Sequence, residues 1–212
     1  MKLSVMKVMP RIIICLYIMC SFIFFSGCRN GDADFSNNTN FSQLYGNSDF
    51  SVVLDESETS ANGSILIYEK EQNILGIKIV ALVSIDATDW GGIAFQIPNG
   101  CYLDDMLCTY PDDLETINNV DLIDFWVTGN EDVEYGSAIE IGRSRNQEQS
   151  EGGDGTVVID FSYPYDDINT INELKFGIEC GASYENGNII WGIGYDEIVV
   201  EINPLIKKGE VK

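Results

Sequence analysis

Hydrophobic residues occupy every second position along most of this chain from about residue 49 onward, and clusters of Gly, Asn, Asp and Pro separate the alternating stretches. This alternation is typical of β-strands that bury one face, because successive side chains of a strand point to opposite sides. Turn residues at short spacing mark the ends of such strands. The pattern predicts about ten strands, at 50–55, 64–69, 75–83, 93–97, 123–127, 138–142, 157–163, 174–178, 188–193 and 196–202.

The arrangement of these strands predicts an antiparallel fold. No stretch carries a convincing amphipathic helix longer than two turns, whereas the crossovers of a parallel sheet usually need a helix. Strands 75–83 and 93–97, with the turn sequence DATD between them, are predicted to form a hairpin. We expect an all-β fold, a single antiparallel β-sandwich domain of jelly-roll or immunoglobulin-like type over residues 49–206, with a tail at 207–212.

The N-terminus has the pattern of an export signal. Residues 1–11 contain three basic residues and no acid, and residues 12–25 are almost wholly apolar. A charged region, an apolar region and a cleavage site of small residues form a secretory signal peptide. The ending Ser26-Gly27-Cys28 resembles the lipobox of bacterial lipoproteins, in which the signal is cut before a cysteine that carries lipid such as palmitate. An uncleaved membrane anchor is the alternative, although such anchors usually contain about 20 apolar residues.

The lipobox resemblance implies an exported protein that is anchored to the outer face of the bacterial cell membrane through lipid on Cys28. Residues 1–27 would be removed as the signal peptide. Residues 28–48 follow as the lipidated cysteine and a segment rich in Asn, Ser and Gly, which is typical of a flexible tether. We therefore expect the protein to contact the membrane through this lipid alone.

The composition narrows the classes of function. The chain has 212 residues, with 34 Asp and Glu against 12 Lys and Arg, and it has no His. Such an acidic protein is not expected to bind nucleic acid, because phosphate binding depends on clustered Lys and Arg. The absence of histidine excludes Ser-His-Asp and Cys-His nucleophiles and His-ligated zinc.

Three cysteines follow the lipobox, at Cys101, Cys108 and Cys180. Two arrangements are open. In one, a Cys101–Cys108 disulfide closes the segment between them, and Cys180 is a buried thiol on the apolar side of its strand. In the other, all three are reduced and packed as small hydrophobic residues.

One tryptophan is predicted to lie on a binding surface. If Ile123, Phe125 and Val127 point into the core, Asp124 and Trp126 point outward together. An indole ring can stack on the apolar face of a sugar, while a carboxylate accepts hydrogen bonds from the sugar hydroxyls. The alternative is that a loop half covers Trp126. The other two tryptophans, Trp90 and Trp191, are assigned to packing in the core or at an edge.

Two arginines form a second candidate contact. Arg143 and Arg145 are the only cations from residue 79 to 174, and they share strand parity if the preceding strand continues. They could clamp an anionic group, such as the carboxylate of a uronate or sialate. Because acids are abundant in the chain, intramolecular salt bridges are the alternative role.

Paired carboxylates favour a metal site over catalysis. Clustered oxygen ligands in loops of an exported protein suit a structural calcium ion. Glycoside hydrolases also use two carboxylates, but no spacing here singles out a pair, and histidine, the usual general base, is absent. We therefore expect a protein that is not an enzyme and has no catalytic residue; a small glycoside-active enzyme is the alternative. The pairs are Asp104-Asp105, Asp112-Asp113 and Asp166-Asp167.

The C-terminal stretch 155–202 resembles the end of jelly-roll carbohydrate-binding modules in its order of strands and turns. Together with the candidate contacts, this resemblance leads us to expect a non-catalytic module that binds extracellular carbohydrate. The alternative is a cohesin-like or adhesin-type sandwich that binds a surface protein, because such sandwiches share much of the same pattern. The residues that fit the module pattern are Val157, Asp160, Ile168, Ile171, Leu174, Gly177 and Gly187.

Overall fold

The computed structural model describes residues 43–55, 57–111, 122–128, 133–149 and 152–203. These residues form ten β-strands and one 3-10 turn at Ile168–Thr170, and they contain no α-helix. The strands are β1 (Leu44–Val53), β2 (Ser60–Glu71), β3 (Ile74–Ile85), β4 (Ile93–Pro98), β5 (Tyr102–Cys108), β6 (Ile123–Val127), β7 (Tyr135–Ile141), β8 (Gly153–Pro164), β9 (Glu173–Glu185) and β10 (Asn188–Glu201).

The strands form two five-stranded sheets. Sheet A has the order β1-β2-β3-β8-β5, and sheet B has the order β10-β9-β4-β7-β6. Neighbouring strands are antiparallel in both sheets. The predicted antiparallel β-sandwich is therefore confirmed.

Alternate side chains of both sheets fill one shared core. Ile77 and Ile79 of β3 and Phe176 of β9 are at most 1% exposed. The sheets meet where Phe50 of sheet A contacts Phe95 of sheet B edge to face, with ring centroids 6.3 Å apart. Apolar burial in this core dominates the stability of such a fold. The outer side of each sheet faces solvent and can therefore carry functional side chains.

The predicted hairpin between residues 75–83 and 93–97 is wrong. β3 pairs with β2 and β8, whereas β4 pairs with β7 and β9 in the other sheet. The connection crosses between the sheets, and Thr59 fixes it by donating a hydrogen bond to Asp89 at 2.7 Å. Asp86 accepts from the backbone N–H of Thr88 at 2.7 Å, which closes the turn without pairing the flanking strands.

Two other strand predictions fail at β-bulges. The strands predicted at 188–193 and 196–202 are the single strand β10, which has a bulge between Trp191 and Gly194. β5 was not predicted, since a register shift between Leu103 and Asp105 interrupts its alternation. A bulge inserts a residue and breaks the period of two, so both errors have one physical cause.

The N-terminal boundary of the domain differs from the prediction. β1 begins at Leu44, so residues 44–48 belong to the sandwich and not to the tether. The signal peptide, Cys28 and the tail at 207–212 lie outside the described residues. Within the part of the chain that the structure describes, no helix is long and apolar enough to span a membrane.

All three cysteines of the domain are free thiols. The Cys101–Cys108 disulfide is not formed, because β5 runs extended between these residues and rises roughly 3.3 Å per residue. Bridged cysteines need Cα atoms within about 7 Å. Cys180 is fully buried as expected, and this burial raises the pKa of its thiol to about 12.

Candidate functional site

The outer face of sheet B carries the residues that the sequence predicts to point outward. Asp124 lies opposite Glu140 in the ladder between β6 and β7, and Trp126 lies opposite Ala138. Cross-strand partners point to the same side of a sheet, so these side chains share one surface. Trp126 is 45% exposed, and its indole N–H donates a hydrogen bond to Glu140 Oε2 at 2.9 Å.

Arg143 is buried on this face. Directly after β7, Gly142 adopts a φ of 64°, a conformation that favours glycine and redirects the chain. The Arg143 guanidinium donates from Nε to the Gly91 carbonyl at 2.8 Å, from Nη1 to Glu140 at 2.9 Å and from Nη2 to Glu179 at 2.9 Å. Its side chain is 4% exposed. Every nitrogen of this guanidinium therefore has a partner inside the protein.

A small residue makes room for the Arg143 guanidinium. Ala94 of β4 pairs with Glu140 of β7 on one side and with Glu179 of β9 on the other. The two carboxylates therefore stand in one row, two strand spacings or roughly 10 Å apart at the backbone. A group that bridges them passes over the residue between them, and alanine leaves that space free.

Arg145 lies nearer the solvent and stacks on two indoles. Its Nη2 donates to both carboxylate oxygens of Glu140, at 2.8 and 2.7 Å. Its guanidinium carbon lies 4.5 Å from the ring centroid of Trp126 and 5.5 Å from that of Trp191. The Arg145 side chain is 48% exposed. Such cation–π contacts contribute about 0.5–2 kcal/mol each, with the larger values at desolvated sites.

Trp191 and Trp90 complete this arrangement. Arg143 lies 4.6 Å from the ring centroid of Trp191, and Trp90 packs edge to face against Trp191 with centroids 5.3 Å apart. Glu179 is held from the other side by a short hydrogen bond from Gln96. We call these side chains the Trp–Arg cluster; its members are Trp90, Trp126, Glu140, Arg143, Arg145, Glu179 and Trp191.

Two polar groups at the exposed edge of the Trp–Arg cluster are open to a ligand. Arg145 uses Nη2 for Glu140, and its Nε and Nη1 donate to no residue that the structure describes. The Asp124 carboxylate, next to Glu140 in the same row, has no hydrogen-bond or ion-pair partner within the described ranges. An exposed indole thus lies near one available donor group and one available acceptor group.

A pair of tyrosines lies on the same sheet. The hydroxyls of Tyr135 and Tyr195 are 3.1 Å apart, and Glu197 lies 3.5 Å from the Tyr135 hydroxyl. Desolvation raises the pKa of Tyr135 well above its usual value, and the hydrogen bond with Tyr195 and the nearby Glu134 and Glu197 add to the rise. The Tyr135 hydroxyl therefore stays neutral near physiological pH.

The outer face of sheet A has a different character. Lys70 pairs with Asp104 and Lys78 pairs with Asp160, each at 2.8 Å, and all four side chains are partly exposed. Leu82 is 63% exposed on β3. An aliphatic row crosses three strands of this sheet beside it and consists of Val80, Val158 and Leu107.

An open pocket of about 660 Å³ lies between β1 and β10. Asp55, Asp89 and Asp196 line it together with Leu54 and Ile193. Asp89 is engaged in the structure, because it accepts hydrogen bonds from the Thr59 hydroxyl and the Gly91 N–H, both at 2.7 Å. Tyr195, Ser51 and Thr88 also line the pocket, so it has an aromatic ring beside donor and acceptor groups, but its lining includes no indole and no arginine.

The carboxylate pairs do not assemble into a metal site within the described residues. No group of three or more His, Cys, Asp or Glu side chains in that part of the chain could hold a metal ion. Asp104 pairs with Lys70, and Asp167 caps the 3-10 turn by accepting from the Asn169 N–H at 3.0 Å. Asp112 and Asp113 lie outside the described residues. Calcium binding therefore stays a prediction.

The structure brings all four candidate residues to one face but gives them different environments. Trp126 and Arg145 are each nearly half exposed and Asp124 is partly exposed, whereas Arg143 is buried. Sequence reasoning missed the partners that hold the arginines, Glu140 and Glu179, and it assigned Trp90 and Trp191 to packing only. The alternation along β7 places Glu140 on the outer side, and this could have identified it as a partner of the arginines. Glu179 could not be found without knowing that β9 lies two strands away from β7.

No protein-family model, curated protein or solved structure matches this chain. The function is therefore argued from the residues of the Trp–Arg cluster and their geometry.

Proposed function

We propose that this protein is a non-catalytic binding module that recognises extracellular carbohydrate through the Trp–Arg cluster. One observation carries the proposal: the exposed Trp126 indole lies near the open N–H groups of Arg145 and the open carboxylate of Asp124. A sugar ring offers an apolar C–H face and a rim of hydroxyls, each of which both donates and accepts. The three side chains match these two features.

Rigidity of the Trp–Arg cluster also supports the proposal. Trp126 and Arg145 are both hydrogen-bonded to the buried Glu140, so their positions are set before a ligand arrives. A binding site loses less entropy on association when its side chains are already held in place. The salt bridges that were the alternative role for the arginines are present, and they also hold the side chains of the Trp–Arg cluster in place before a ligand binds.

The localisation that we propose follows from the sequence. Signal cleavage before Cys28 and lipidation of this cysteine would hold the domain on the outer face of the membrane, where glycans are accessible. Incorporation of labelled palmitate by the chain with Cys28, and its loss in Cys28→Ala, tests this part separately.

A screen of the purified protein on a glycan array tests carbohydrate binding, with calcium and again with a chelator. Any hit is then measured by calorimetry with Trp126→Ala. We expect a loss of affinity of about tenfold or more, because an aromatic contact at a binding site typically contributes over 1 kcal/mol. A hit that the chelator abolishes would assign calcium to the site.

Tyr102→Ala is the matched control. Tyr102 is an exposed aromatic residue of β5, on sheet A, and its removal should leave affinity unchanged. Equal losses in the two variants, or none in Trp126→Ala, would contradict the assignment of the binding surface.

One observation favours protein binding as a second candidate function. The exposed Leu82, Leu107 and the neighbouring Val80 and Val158 form an aliphatic patch on sheet A, and such patches often mark interfaces. Binding to one defined surface protein that is lost in Leu82→Ser and kept in Trp126→Ala, with a blank glycan array, would establish this alternative.

A further inference from the structure

We propose that the ligand of the Trp–Arg cluster is an uncharged glycan, an inference that rests on the carbohydrate-binding function proposed above. The arginines at first favour an acidic sugar, since guanidinium groups bind carboxylates well. The structure assigns them other partners. Their charges are balanced by Glu140 and Glu179, and Asp124 adds a third carboxylate to the same row.

Arg143 is unavailable to an anionic ligand. Its side chain is 4% exposed, and its three nitrogens donate to Gly91, Glu140 and Glu179. A ligand carboxylate would have to displace a buried ion pair, which leaves an uncompensated charge in the protein. We therefore assign Arg143 to positioning Glu140 and Glu179.

Arg145 is accessible but already neutralised. Both oxygens of Glu140 accept from its Nη2. A second carboxylate at its remaining N–H groups would approach Glu140 and the open Asp124, and like charges at close range oppose binding. A sugar hydroxyl at the same N–H groups has no such penalty, and another hydroxyl can donate to Asp124.

The charges on the surface around the Trp–Arg cluster also disfavour an anionic glycan. Glu197 of β10 and Glu134, just before β7, lie near Lys175 of β9, and acids outnumber bases by 34 to 12 in the chain. A polyanionic glycan would therefore be repelled over a distance of about 8 Å at physiological ionic strength. An uncharged glycan experiences none of this repulsion.

The test is a comparison of matched oligosaccharides by calorimetry at low and at high salt. Each neutral oligosaccharide from the glycan screen is paired with the counterpart of the same linkage in which the C6 hydroxymethyl groups are oxidised to carboxylates. We expect the neutral form to bind at least about tenfold more tightly, with an affinity that salt hardly changes.

Asp124→Asn sharpens the comparison. This variant removes the negative charge of Asp124 and keeps an acceptor, so the ratio of the affinities for the neutral and oxidised forms should fall, whatever the absolute affinity for the neutral form becomes. Val127→Ala changes the neighbouring exposed residue of β6. It should leave the affinity difference between the neutral and oxidised forms unchanged.

The outcomes separate the two proposals. Tighter binding of the oxidised form, weakened by salt, would overturn the inference of an uncharged ligand and leave carbohydrate binding in place. An unchanged affinity difference between the neutral and oxidised forms in Asp124→Asn would also overturn the inference of an uncharged ligand. The local carboxylates would then not set the preference for the neutral form. Binding of neither form at any salt concentration would overturn both proposals together.

Discussion

The two outer faces of the sandwich are built on equivalent antiparallel ladders and carry opposite kinds of chemistry. On sheet B, ionic and aromatic side chains interlock around the buried Glu140, which is 7% exposed at its side chain. On sheet A, ion pairs such as Lys70–Asp104 stand apart, with both side chains about one-third exposed. The difference shows that one face is organised before any ligand binds, while the other is a solvated surface with an aliphatic patch.

The type of cation differs in the same way. The Trp–Arg cluster on sheet B uses arginine, whose planar guanidinium can serve two carboxylates and stack on an indole at the same time. Sheet A uses lysine, a compact charge on a flexible stem. The contrast implies that changes on the two faces will have unequal effects on stability. Two predictions test this, and a third concerns a thiol in the core.

The largest effect is expected from Glu140→Ala. This change leaves Arg143 buried with one carboxylate lost, and it removes partners of Arg145 and Trp126. We expect the free energy of unfolding to fall by about 3–5 kcal/mol, the usual cost of breaking a buried ion pair on one side. Chemical denaturation measures it.

Asp104→Ala on sheet A is the control for this change. It breaks an ion pair of the same distance, 2.8 Å, in a partly exposed setting, so we expect a loss of about 0–1 kcal/mol. Similar losses in the two variants would show that the faces do not differ in the way described.

A smaller effect is expected from Ala94→Leu. The larger side chain would occupy the space between Glu140 and Glu179 over which Arg143 passes. Overpacking of this kind costs about 1–3 kcal/mol. Val80→Leu, on the outer face of the central strand of sheet A, should change stability by less than about 0.5 kcal/mol. An unchanged free energy of unfolding in Ala94→Leu would mean that alanine is not needed beneath the Arg143 guanidinium.

At neutral pH the smallest effect, close to zero, is expected from the Cys180 thiol, whose ionisation changes stability only in alkaline solution. Burial raises the pKa of the Cys180 thiol from 9.0 to about 12. Between these pH values the unfolded chain binds fewer protons than the folded one, so the free energy of unfolding falls as pH rises from about 9 to about 12 and is unaffected below. The slope from one such group is at most about 1.4 kcal/mol per pH unit.

Denaturation of Cys180→Ala across this range should give a shallower slope than the unmodified protein. Cys108→Ala on sheet A is the matched variant; its thiol is only partly buried, and a backbone hydrogen bond opposes the rise in its pKa. We expect a smaller change of slope there. An unchanged slope in Cys180→Ala would contradict a buried neutral thiol.

The sequence predicts which side of the sheet carries Trp126, but it does not predict which side chains surround this residue. Alternation along β6 places Asp124 and Trp126 on the outer side because a strand has a strict period of two. The predicted burial of Phe125 and Val127 on the other side is wrong, since these side chains are 45% and 70% exposed. The positions of the arginines depend on features that alternation does not contain: the turn at Gly142, with its positive φ, and the presence of Glu179 two strands away. Register and strand order come from tertiary packing, which a local pattern does not specify.

The same limit explains the errors in the fold. The turn before β4 was interpreted as a hairpin because its residues suit a tight turn, yet Thr59 and Asp89 hold it as a crossing between sheets. Strand predictions were accurate where alternation is unbroken, as in β3, and failed where a bulge interrupts it, as in β5 and β10.

The concentration of indoles on one face gives the protein an optical signal of its own. The chain contains three tryptophans, and all three belong to the Trp–Arg cluster, with Trp90 against Trp191 and Arg145 over Trp126. Fluorescence excited at wavelengths where tyrosine does not absorb therefore originates from a single surface of sheet B. Its emission maximum and its quenching by acrylamide follow events at this surface without any label, and changes at the outer face of sheet A should leave the spectrum as it is.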